Sequence, residues 1–186
     1  MQANRFTQNR GFSHNRRLAR PWFMIPALMV LAACAWGGSL SYTGQTAKPE
    51  SRIPLFNGDV RELKWQTNDL IIAATYVLED GQLDLAGQVE LQQRLAHFPV
   101  VDYLRINLHA LDTGGGILAS YPLWSTAAGN EPFFIDWSFE RHLMVPAGTR
   151  ALTFSYRGRM RDGGGRGAWR DRDDDGGTRW DFWHTP

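Results

Sequence analysis

No stretch after residue 45 shows a convincing helical period, and several long runs alternate apolar with polar residues, which points to β-strands for the body of this chain. In Leu83-Asp84-Leu85-Ala86-Gly87-Gln88-Val89-Glu90-Leu91-Gln92-Gln93-Arg94-Leu95 the odd positions are mainly apolar and the even ones mostly polar. This pattern reads as a half-buried strand, or as a strand pair bent near Gly87. Ile71 to Leu78 is a preceding strand, closed by the turn-like Glu79-Asp80-Gly81. Val101 to Leu111 alternates again, and Asp112-Thr113-Gly114-Gly115-Gly116 turns it back into a partner strand from Ile117 to Trp124. Pro132 to Glu140 and Ala151 to Tyr156 complete the set, the second introduced by the Pro146-Ala147-Gly148 turn. Strands at this spacing, without helices between them, predict an all-β, antiparallel, Ig-like sandwich.

The first part of the chain has a different character. Arg5, Arg10, Arg16, Arg17 and Arg20 stand in a stretch without acids, and no charged residue occurs from Pro21 to Ala47. A basic flank held in the cytoplasm and an apolar run partitioning into the bilayer predict membrane targeting, with the chain downstream exported. Of 20 Lys+Arg, 15 follow this run together with all 19 acids, so the body carries a charge of about −4. A mildly acidic body argues against general affinity for nucleic acid.

Leu31-Ala32-Ala33-Cys34 resembles the lipobox of bacterial lipoproteins, and Cys34 is the single cysteine. The resemblance implies lipidation of Cys34, and Ala35 in place of aspartate implies the outer membrane. Two other outcomes remain open at this point: an uncleaved transmembrane helix flanked by Trp22, Trp36 and Tyr42, and ordinary cleavage near Ala35. One cysteine excludes an internal disulfide framework.

These features divide the chain into an anchor or signal (1–36), a Gly/Pro-containing linker that lets the body stand off from the membrane (37–54), the sandwich (55–158) and a Gly/Arg/Asp-rich segment with an aromatic end (159–186). Leu85-Ala86-Gly87-Gln88-Val89, Leu104 to Asp112 with its following glycines, Pro146-Ala147-Gly148 and Thr153-Phe154 together resemble the FxLYD type of Ig-like domain of prokaryotic exported proteins, over roughly residues 70–158. That resemblance implies a fold and no activity.

Two constellations could carry chemistry. Asp171, Asp173 and Asp175 followed by Gly176 place oxygen ligands as a calcium loop does, with Asp181 close enough to help. An EF-hand would need Glu where Phe182 stands, so the alternative is a solvated acidic loop balanced by Arg166, Arg170, Arg172 and Arg179. The closing Trp180, Phe182 and Trp183 either fold back onto the sandwich or offer a partner-binding strip. His97, His109, His142 and His184 lack metal-ligand spacing, and Gly114-Gly115-Gly116 lacks the Lys-Ser/Thr of a phosphate loop. The expected function is a membrane-anchored extracytoplasmic binding or accessory module for an envelope protein complex. The alternative is a calcium-dependent envelope enzyme or calcium-binding protein using the Asp171–Asp181 loop.

Overall fold

The computed structural model describes residues 41–130, 132, 135–162 and 179–186. Cys34, Asp171, Asp173 and Asp175 lie outside the described residues, as does the expected membrane segment.

The described chain is all-β, built from antiparallel strands in two sheets. The strands are β1 (Ile53–Pro54), β2 (Arg61–Gln66), β3 (Leu70–Glu79), β4 (Gln82–Leu91), β5 (Val100–Leu111), β6 (Ile117–Asn130), β7 (Ser138–Met144), β8 (Ala151–Arg161) and β9 (Arg179–His184). One sheet runs β2-β3-β4-β7. The other runs β6-β5-β8, and β1 and β9 share the far edge of β8. The chain crosses between sheets from β1 to β2, β4 to β5, β6 to β7 and β7 to β8, while β4 neighbours β7 and β5 neighbours β8.

Alternation produces the core: Leu104, Ile106, Leu108 and Ala110 of β5 and Leu152, Phe154 and Tyr156 of β8 are buried against Leu63, Trp65, Leu70, Ile72 and Leu85 of the other sheet. Trp65 of β2 meets Phe154 of β8 at 5.4 Å between ring centroids. A polar tie closes one end of this core. The Tyr156 hydroxyl donates to Asp69 Oδ2 at 2.6 Å and lies 2.9 Å from Thr67 Oγ1. Arg94 approaches Asp69 Oδ1 at 2.5 Å as an ion pair, without hydrogen-bond alignment. Burial, and then the bond to Asp69, push the Tyr156 hydroxyl pKa far up, so it stays a donor.

Several elements differ from the sequence reading. β4 is one unbroken strand ending at Leu91, and Gln93–Ala96 forms a helical turn (α1) that buries Leu95 in the crossing to β5. Gly87 marks no bend; it faces Ala74 so closely that an added Cβ would stand 2.5 Å from the alanine Cβ. The strand expected over 132–140 begins only at Ser138, because Asp136 Oδ1 accepts from both the backbone and the hydroxyl of Ser138 and forms a turn. β2 was not anticipated.

Residues 42–54 of the expected linker lie against the body. Ile117 N–H donates to Gln45 O at 2.8 Å and Ala47 N–H to Gly115 O at 2.9 Å, while Ala47 packs with Leu111 and Ile117 in a second small cluster on the outer side of β5 and β6. The Arg52 guanidinium locks this segment by donating to Ala47 O. It occupies the space a side chain at Gly115 would need, and Gly115 itself has φ +86.

Candidate functional site

β9 brings the C-terminal aromatic residues onto the sheet. Phe182 points inward, is 2% exposed and packs over Gly158 and against Tyr156. It therefore belongs to the core and not to an exposed strip. Alternation sends its neighbours Asp181 and Trp183 to the outer face, where Trp183 is 66% exposed. Trp180 lies on the inner side of the strand, 43% exposed, with Arg94 5.7 Å from its ring centroid.

The outer face of β6-β5-β8-β9 is a basic and aromatic surface. Ser125, Arg105, Arg157 and Trp183 form one row across the four strands, each directly opposite the next. The next row is Ala127, Tyr103, Arg159 and Asp181. Arg161 and Arg179 oppose each other beyond it. Two directly opposed Arg–Arg pairs on one face are unfavourable, since like charges across a strand pair repel. Arg161 is relieved by Asp102 at 2.8 Å, and Arg159 by Asp181 at 2.8 Å. Arg105 and Arg157 have no carboxylate partner among the described residues, and both are exposed.

Asp181 is the described member of the expected calcium set. Its carboxylate receives Arg159 Nε and Nη2, and that contact holds its pKa below the usual carboxylate value. Among the described residues no three His, Cys, Asp or Glu side chains converge as a metal site would require.

An open depression of about 370 Å³ adjoins this face, lined by Tyr42, Tyr156, Arg157, Asp181, Phe182, Trp183 and His184. Its origin is topological. β1 pairs with Ala151 and Leu152 and β9 with Tyr156 to Arg161, so the middle of that β8 edge has no strand partner. His184 closes the inner side, 5.1 Å from the Trp65 ring centroid, and burial lowers its pKa.

His109 sits farther along the same outer face, fully buried. Its Nδ1 lies 2.8 Å from Ser120 Oγ and its Nε2 2.8 Å from Ser155 Oγ, with the Tyr42 ring nearly perpendicular to the imidazole at 5.4 Å between centroids. Desolvation lowers its pKa to about 4, so it is neutral at physiological pH. His109 and His142 are on strands of different sheets, and they do not form a pair.

The outer face of the other sheet has the opposite sign, with Glu62, Asp84, Glu90 and Glu140 against Lys64 and His142. His142 Nδ1 is 2.8 Å from Asp84 Oδ1 and Nε2 is 3.6 Å from Glu140, and the Asp84 bond raises the His142 pKa. Its stabilising contribution is therefore complete below the unfolded pKa of about 6.5 and is lost as pH rises through the higher folded value. An NMR titration is expected to place the His142 midpoint above that of a free histidine, and Asp84→Asn to return it toward 6.5. An unchanged midpoint in the variant would remove the pairing from this account.

No protein-family model matches the chain, and neither a curated protein nor a solved structure matches it. The lipobox and FxLYD resemblances thus rest on the residues that suggested them.

Proposed function

We propose that this chain is a membrane-anchored extracytoplasmic binding module with an Ig-like body, and that it binds through the outer face of β6-β5-β8-β9. The observation that carries the reading is the row Arg105, Arg157, Trp183. Two arginines stand opposite each other in register with no ion-pair partner among the described residues, Asp181 lying in the next row and already engaged by Arg159, beside an indole left largely in water. Retaining like charges in register costs stability, and an anionic partner turns that cost into affinity. The crossing pattern, with β4 beside β7 and β5 beside β8, supports the Ig-like assignment. The basic flank, apolar run and Cys34 support the anchor.

Two measurements test the two halves. Intact mass of the N-terminal peptide from host membranes should show an acyl adduct beginning at Cys34, or a chain that retains residues 1–33 as a membrane helix. An unmodified chain beginning near Ala35 in the soluble fraction would overturn the anchor. For the face, full-length protein in detergent should elute from phosphocellulose at lower salt when it carries Arg105→Glu and Arg157→Glu than when it carries Arg61→Glu and Arg141→Glu, which change net charge equally on the other sheet. Equal elution of the two would mean that net charge alone, and not this face, meets the anion.

A further inference from the structure

We infer that the anionic partner of the basic face is the headgroup layer of the bilayer that holds the N-terminal segment, so that the domain lies on the membrane through β5, β8 and β9. The inference rests on the membrane-anchored reading above and adds to it an orientation and a ligand class.

Three observations converge on this surface. The first is charge segregation. Among the described residues, Arg105, Arg157, Arg159, Arg161 and Arg179 outnumber Asp102 and Asp181 on one outer face, and Glu62, Asp84, Glu90 and Glu140 outnumber Lys64 and His142 on the other, so the two faces differ in sign. Only one of them is attracted to anionic lipid. The second is the exposed indole of Trp183, set beside Arg157, with Tyr103 beneath Arg159 at 5.8 Å. An amphipathic ring beside a guanidinium suits the boundary where phosphates give way to acyl chains.

The third is where the described residues begin. Tyr42 lies on this same face, its ring packed at right angles to His109 and lining the depression together with Trp183. Because residues 42–54 are bound to the sheet, they supply no stand-off. The first described residues after the proposed anchor therefore lie on the face that carries Arg157 and Trp183.

The test uses full-length protein purified from host membranes and reconstituted into vesicles of phosphatidylcholine alone or with phosphatidylglycerol. Flotation first establishes that the chain is in the bilayer. Hydroxyl-radical oxidation is then read residue by residue in the floated fraction. Trp183 should be protected on the order of fivefold or more when phosphatidylglycerol is present. Trp180, on the other side of β9, should oxidise at the same rate in both vesicles. Arg105→Glu with Arg157→Glu should abolish the protection while leaving the melting temperature near that of the parent.

Failure of the chain to float would overturn the anchored reading itself. Flotation with Trp183 equally reactive in both vesicles would leave the anchor standing and overturn this inference. Protection of Trp183 by millimolar inorganic phosphate in phosphatidylcholine vesicles, matching that given by phosphatidylglycerol, would also overturn it, because the face would then be a site for a small soluble anion.

Discussion

Phe182→Ala is expected to destabilise the described body by roughly 3–5 kcal/mol and to release β9 from the sheet, whereas Trp183→Ala one residue away should change stability by about 0.5 kcal/mol or less. The two side chains have similar size and opposite environments. Phe182 is 2% exposed and fills the space over Gly158, where an added Cβ would stand 2.4 Å from its ring and 3.0 Å from Leu104. Removing the ring leaves a cavity between Tyr156, Gly158 and Leu104 that a strand pinned to β5 on its other edge cannot close. Trp183 has mostly water to lose. Gly158→Ala should act in the same direction from the opposite side, since its methyl group would displace the Phe182 ring and not a flexible side-chain end. Chemical denaturation of the three variants, with proteolysis after Arg179 as a local readout, checks the ordering. A Phe182→Ala variant as stable as Trp183→Ala would show that β9 is an ornament of the sheet and would deprive the basic face of one edge.

This pair of substitutions also explains which parts of the architecture could be anticipated. β3, β5 and the β5–β6 turn were legible because long runs alternate cleanly and because Asp112 with three glycines has few other uses; in the structure Asp112 Oδ1 indeed accepts from the backbone of Gly114 and Gly116. β2 escaped notice because only Leu63 and Trp65 carry its pattern among Arg61, Glu62, Lys64 and Gln66. In β9 aromatic residues stand on both sides, so period alone could not tell Phe182 from its neighbours; the fold-back was foreseeable, but not which ring would be buried.

The candidate face was harder still. Arg159 and Arg161 read in sequence as part of the Gly/Arg/Asp-rich segment, and Arg157 as the end of the sandwich. Only the burial of Gly158 and Met160 shows that the three guanidinium groups share one side of a strand. Their opposition to Arg105 and Arg179 depends on the pairing of β8 with β5 and β9, which no local pattern encodes. Residues 42–54 of the expected linker lie against the sheet for a related reason. Gly44, Pro49 and Pro54 do punctuate the segment, but Ala47 has a partner in Leu111 and Ile117, and that long-range contact outweighs the freedom the local composition allows.

Acidification should weaken the same face from beneath. As pH falls from about 6.5 to about 4, stability is expected to decline by roughly 3 kcal/mol through His109 alone. In the unfolded chain this imidazole titrates near 6.5, and in the folded protein desolvation lowers it to about 4. Between those values the unfolded state binds the proton and the folded state does not, so stability rises with pH across the window. The contribution is complete above 6.5, and the loss is greatest below 4. Asp84, whose pKa is also lowered, loses its contribution below the ordinary aspartate value, outside most of this range. His142 works in the opposite sense, as its raised pKa favours the folded state in acid, but it is exposed to solvent and offsets little. His109 is surrounded by Ser120, Ser155 and the Tyr42 ring and has no carboxylate to compensate a charge, so protonation should first loosen the 42–48 segment that covers it. Thermal unfolding of His109→Gln against the parent between pH 4 and 7 isolates the effect. The parent should show a steeper slope across the window than the variant, which retains the contribution of His184, and parallel curves would mean that His109 is not the group whose burial sets the acid limit of this fold.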